Sequence, residues 1–383
     1  MSSGKGTLQN NILRLSRSIV GPMEAEAVSK VILEDGYLGM GSEVQKFERE
    51  LAEFLGIPAD NVICVSSGTA ALHLAAQACL SPGDEVLVQS LTFVASFQAI
   101  SGAGALPVAC EAHPETVTID LKDARQRLTS RTRAIMPVHY ASYPGDLESV
   151  YSFANEHGLR VIEDAAHALG CRYRDRLIGS FGDVACFSFD GIKNITSGEG
   201  GAVVTADSQV ATAVRDARLL GVVKDTQKRY AGERSWEFDV VGQGYRYHMS
   251  NIFAAIGRVQ LRRFLKEFAP ARVRLAGLYR EHLQAVKGIR LLDTDLNAVV
   301  PHIQPVRVLD GERDALRNAL EAEGIQTGIH YKPNHLLTYY GGGKISLPVS
   351  AQLYEELLTL PLHPGLQDED VARVCRVILD FMK

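Results

Sequence analysis

The sequence predicts an α/β fold: a mostly parallel sheet wrapped by helices, followed by a smaller C-terminal α+β part. Short β-branched runs alternate with longer helical stretches through the first half of the chain. Polar motifs recur just past the carboxyl ends of these runs, where ligands bind in open parallel sheets. With 383 residues and 46% hydrophobic content, the chain can bury a core large enough for one large and one small domain. The division is expected as 1–258 and 259–383, the N-terminal segment being a candidate to pack on the small domain.

Strands are expected at 61–66, 85–89, 106–110, 134–139, 160–163, 184–189 and 202–205. The first leads through Ser66-Ser67-Gly68-Thr69 into an alanine-rich helix. Amides at such a helix start, with hydroxyls beside them, suit a phosphate dianion; plain capping by Ser or Thr is the competing use. No lysine follows the glycine in the Walker spacing, so the turn is not a P-loop.

The fifth strand ends in Glu163-Asp164-Ala165-Ala166-His167. Alternation sends the two acids to opposite faces, so only one can address a given crevice. Asp164 is our choice for a carboxylate that keeps a pyridine nitrogen protonated, as pyridoxal phosphate requires, with His167 beside the ring. A helix-capping Asp is the alternative. The sixth strand leads through Ser188 to Lys193 and then to Gly198-Glu199-Gly200-Gly201. A lone amine there reads as a Schiff-base lysine, which needs burial or nearby positive charge to lower its pKa; the alternative is a solvated loop lysine.

Beyond residue 257 the pattern gives a helix at 259–268 ending at Pro270, a helix at 277–286, a strand-like run at 298–308 and a helix at 312–323. The charged and aromatic stretch 220–236 has no clear period. It is expected to be a loop that crosses a dimer interface toward the partner's substrate site, against the alternative of a solvated loop.

The formal net charge of −5 gives no basic footprint for nucleic acid. Six cysteines, Cys64, Cys79, Cys110, Cys171, Cys186 and Cys375, lack paired spacing, so no metal site is expected. Residues 1–10 are polar and lack the apolar region of a signal peptide, and no apolar run approaches membrane-spanning length. A cytoplasmic protein is the expectation.

The motifs also stand in a telling order: Ser67-Gly68-Thr69, Thr92-Phe93, Glu163 to His167, Phe187-Ser188-Phe189 with Lys193, and Gly198-Glu199-Gly200-Gly201. In this order the chain resembles the DegT/StrS family of pyridoxal-phosphate sugar aminotransferases. The likeness runs from Gly36-Tyr37-Leu38 to Leu360-Pro361-Leu362, nearly the whole chain. It implies a fold-type I architecture with a seven-stranded large domain, a Schiff base on Lys193 and a pyridinium partner in Asp164. It also implies Ser188, Gly68 and Thr69 on the cofactor phosphate and Phe93 stacked on the ring.

One departure stands out. The family's Gly-x-Asn-Tyr-Arg-type segment reads Gly244-Tyr245-Arg246-Tyr247-His248-Met249-Ser250-Asn251, with arginine where the asparagine stands. Arg246, His248 and Asn251 are therefore the candidates to reach the phosphate in the partner subunit of a homodimer. The resemblance further implies two half-reactions with pyridoxamine phosphate between them. Glutamate is the donor, and a nucleotide-linked 4-keto or 3-keto 6-deoxysugar is the acceptor. Val138-His139-Tyr140-Ala141 leans toward amination at C4. His302, His330 and Tyr331 are substrate-pocket candidates, with buried structural roles as the alternative. Two other readings remain: a pyridoxamine-dependent sugar dehydratase, whose members place histidine where Lys193 stands, and a non-catalytic cofactor-binding regulator.

Overall fold

The computed structural model describes residues 12–383, so the expectation about residues 1–10 lies outside the described residues. In chain order the strands are β1 (Val62–Val65), β2 (Glu85–Gln89), β3 (Leu106–Cys110), β4 (Thr132–Met136) and β5 (Arg160–Asp164). A two-residue hairpin, β6 (Arg172–Tyr173) and β7 (Arg176–Leu177), precedes β8 (Val184–Ser188) and β9 (Gly201–Thr205). Then follow β10 (Ile289–Leu291), β11 (Gln304–Val308) and β12 (Leu357–Leu360).

Seven strands form one sheet in the order β1-β9-β8-β5-β4-β2-β3. All neighbours are parallel except at β9, which runs antiparallel to both β1 and β8. Strands β1, β2, β8 and β9 are buried along their whole length, as strands covered on both faces must be. The helix Gly68–Cys79 packs across the sheet through Ala71, Leu74 and Ala75, against Ile162, Cys186 and Val203. Small residues on that face let the helix lie close, which brings its N-terminus to the strand ends. The carboxyl ends of β1, β2, β4, β5 and β8 thus open onto one region.

A second sheet, β10-β11-β12, is antiparallel. Its core joins Leu275 and Tyr279, Leu316 and Leu320, and Val374 and Ile378 from three covering helices. The described N-terminal residues lie along this part. Leu13 pairs with Ile325, Gln326 N–H donates to the Leu13 carbonyl at 2.9 Å, and Leu362 N–H to that of Leu15 at 3.1 Å.

Several boundaries differ from those expected. The separate helices at 259–268 and 277–286 are one continuous helical run: Asn251–Arg263, a π-helical turn Phe264–Phe268, and Ala269–Leu283. Pro270 does not end it, because it stands at the start of the last segment, where its missing N–H costs little. The division expected at 258/259 falls inside this run. The strand expected at 298–308 is confined to β11, since Ala298 and Val300 give their carbonyls to Arg172 N–H (2.7 Å) and Asn194 Nδ2 (3.1 Å). Within 220–236 a short helix forms, Asp225–Tyr230. An Asp225–Arg229 pair at 2.6 Å holds it, and the Tyr230 hydroxyl inserts between buried Arg218 and Glu48.

Candidate active site

A cavity of about 310 Å³ opens at the carboxyl ends of the strands, lined among others by Gly68, Thr69, Phe93, Asp164, His167, Ser188 and Lys193. At one end the helix Gly68–Cys79 begins. Ser67 caps it, its Oγ accepting from Ala70 N–H at 3.0 Å, while the first amides, Gly68 and Thr69, have no intrahelical acceptor. A Cβ at position 68 would lie 2.6 Å from Ser188 Cβ and 2.9 Å from its Oγ. Glycine there is what lets the helix start sit against the Ser188 hydroxyl. The outcome is a cluster of donors at the positive end of a helix dipole, suited to a phosphate.

Asp164 and Glu163 part company as alternation requires. Glu163 turns away from the cavity and is enclosed by His139 Nε2 at 2.8 Å and Tyr151 Oη at 2.6 Å. Asp164 lines the cavity, 5% exposed. Its Oδ2 accepts from Ser96 Oγ at 2.7 Å and its Oδ1 from Ala166 N–H at 3.2 Å. Sequence reading missed Ser96; a lone serine among apolar residues at the start of the helix Val94–Gly102 was the signal.

Lys193 lies on the opposite limb, between β8 and the glycine-rich turn. Burial pushes its amine down to about 8; Asp164 and Asp190 act against that, and Arg272 adds to it. Phe93 is 55% exposed, unusual for a phenylalanine, and its ring meets Tyr331 at 5.4 Å between centroids. An aromatic face left bare inside a cavity is a surface on which a flat ring can stack.

His167 is buried, its Nε2 at 3.2 Å from Tyr331 Oη and its Nδ1 without a partner among the described residues. Burial holds it neutral, as it does His302, whose ring packs against it at a tilt, with centroids 4.4 Å apart. His302 does not line the cavity. His330 and Tyr331 do; His330 Nδ1 lies 2.8 Å from Thr359 Oγ1, and burial lowers its pKa to about 4. Of the crossing candidates none lines this chain's cavity. Arg246 is exposed and paired by backbone with Leu219, and His248 pairs with Val65. Asn251 is fully buried, its side chain donating to the Tyr37 carbonyl at 2.9 Å and Asp35 Oδ2 at 3.3 Å.

These residues fit pyridoxal phosphate. Free amides and a hydroxyl stand ready for its phosphate, Phe93 for its ring face, Asp164 for its ring nitrogen, and the unpartnered Nδ1 of His167 for a polar ring substituent.

Comparison with known proteins agrees. The model of the DegT/DnrJ/EryC1/StrS aminotransferase family matches residues 20–379. The spore coat polysaccharide biosynthesis protein SpsC of Bacillus subtilis is 36% identical over 386 residues, covering 98% of each chain. Among solved structures, the aminotransferase TlmJ from Streptoalloteichus hindustanus superposes with a TM-score of 0.89 at 33% identity, over 96% of this chain and 98% of that one. The sugar aminotransferase CalS13 from Micromonospora echinospora gives 0.88 at 28% identity, over 96% and 100%. The fold, the cavity chemistry and these matches converge: the chain belongs to the DegT/DnrJ/EryC1/StrS aminotransferase family and is a pyridoxal-phosphate-dependent sugar aminotransferase.

Proposed function

We propose that the enzyme moves an amino group from glutamate to a nucleotide-linked keto-6-deoxysugar, with amination at C4 favoured over C3. The observation that carries this reading is Asp164 and Lys193 lining one cavity whose end is a helix N-terminus beside Ser188. Pyridoxal phosphate, when bound, supplies an electron sink for the donor's α-carbon. Lys193 carries the proton, and its lowered pKa keeps much of the amine free to act as a base near pH 8. Asp164, held by Ser96, keeps its charge directed at the ring nitrogen. Gly68, Thr69 and Ser188 hold the phosphate, Phe93 covers one ring face, and His167 orients the ring from its edge. Tyr331 and His330, at the cavity wall, are positioned for the sugar; His302 supports His167 from behind.

The active unit we infer is a homodimer. Trp236 (84% exposed), Phe238 (58%) and Val241 (75%) are large apolar side chains left on the surface, alternating with exposed Glu237 and Asp239, and exposed apolar groups of this size mark interfaces. The chain continues from it directly to Arg246, the exposed member of the crossing candidates; His248 and Asn251 are the more enclosed alternatives. Among the described residues, no lysine or arginine lines the cavity apart from Lys193, so a partner's cation would complete the charge balance for an anionic cofactor and substrate. Six unpaired cysteines fit the reducing cytoplasm.

The test is incubation with glutamate and a panel of dTDP-, UDP- and GDP-linked keto sugars, followed by mass spectrometry and NMR. An amino sugar with 2-oxoglutarate is expected. Loss of a sugar hydroxyl as the sole product would favour dehydration, and no turnover across the panel would favour a regulator. Borohydride should fix the cofactor on Lys193.

A further inference from the structure

Arg272, in the helix Ala269–Leu283, is among the largest fully buried side chains and does not line the cavity. Its guanidinium donates to five backbone carbonyls of three segments: His302 at 3.0 Å, Pro301 and Leu362 at 3.4 Å, and Ile192 and Lys193 at 3.5 Å. Its Nε has no partner, and no carboxylate pairs with it among the described residues. Burial lowers its pKa to about 10, so it remains a cation at neutral pH. A buried charge without a counter-ion is costly, and a neutral residue of similar volume would avoid that cost.

We propose that Arg272 is a positioning residue for Lys193: it ties the peptide that carries the lysine to the 301–302 and 362 segments. Its charge, paired with no carboxylate among the described residues, also disfavours a second cation at Lys193. The groups around Lys193 bear this out. Asp164 at the end of β5 and Asp190 on the loop favour the ammonium, and Arg272 opposes them. His167, His302 and His330 are held neutral by burial, and burial keeps the Tyr331 phenol protonated. The Glu199 carboxyl, at the cavity wall, is itself pushed up by burial and by Asp190. Arg272 also faces His302 and His363, both kept neutral by burial.

The inference rests on Lys193 being the reacting amine, which borohydride fixation tests on its own. The experiment for Arg272 uses the cofactor-free protein: acetic anhydride labelling across a pH series, with the Lys193 peptide quantified by mass spectrometry. In the wild type, labelling should rise through a midpoint of about 8. In Arg272→Met and Arg272→Gln the midpoint should move up by about half a unit, since a cation's field has been removed. Arg272→Lys should keep the midpoint near the wild type. Its kcat should fall roughly tenfold or more with little change in KM for glutamate, because one ammonium cannot hold five carbonyls. An unmoved midpoint in a folded neutral variant, or wild-type kcat in Arg272→Lys, overturns the proposal. If neither neutral variant is soluble, the kcat of Arg272→Lys decides.

Discussion

Asp164 owes its orientation to Ser96, 68 positions earlier in the chain, whose hydroxyl ties down one carboxylate oxygen and leaves the residue in the cavity wall. Asp164→Asn should keep the fold and lose roughly 3 kcal/mol or more of transition-state stabilisation, because an amide cannot hold a ring nitrogen protonated. Ser96→Ala removes one charge-assisted bond, worth about 1.5–3 kcal/mol at most, so its single-turnover rate should lie between those of the wild type and Asp164→Asn. Wild-type turnover in Ser96→Ala would mean that packing alone holds the carboxylate. Asp164, Ser188 and Lys193 were legible because each stands at or just past a strand end, and strand ends can be read from hydrophobic periodicity. Ser96 and Arg272 were not, since each acts through a contact to a partner 68 or 79 positions distant, which no local pattern encodes.

At the scale of elements, the site depends on how closely one helix start approaches one strand. Gly68→Ala would drive a methyl to 2.6 Å from Ser188 Cβ, and relieving that contact means moving the helix or the strand. Overpacking of this kind costs roughly 1–3 kcal/mol, so cofactor retention measured by dialysis should weaken about 10- to 100-fold while secondary structure persists. Retention equal to the wild type would show that the phosphate donors lie elsewhere. The seven strands of the large sheet were legible to within a few residues, because buried β-branched runs leave little choice. The helices after residue 250 were less so. Pro270 reads as a stop in sequence, yet a π-helical turn carries the chain past it, and that turn is set by packing of Phe264 and Phe268 in the core rather than by propensity.

For the whole molecule, the expected unit is two chains. Mixing Lys193→Ala subunits with Arg246→Ala subunits, each inactive alone, should restore up to a quarter or so of normal activity after subunit exchange, as one site in a mixed dimer holds both intact residues. A mixture as inactive as its parents would remove Arg246 from the partner's site, and full activity of Arg246→Ala alone would pass the role to His248 or Asn251. The docking of residues 13–15 against 324–326 and 362 has a consequence for biosynthesis. The partners of this segment are made about three hundred residues after it. Contacts so remote in sequence form slowly, so residues 13–15 stay unpaired in the nascent chain until residues 324–362 have been made, which makes them a natural place for a chaperone to bind.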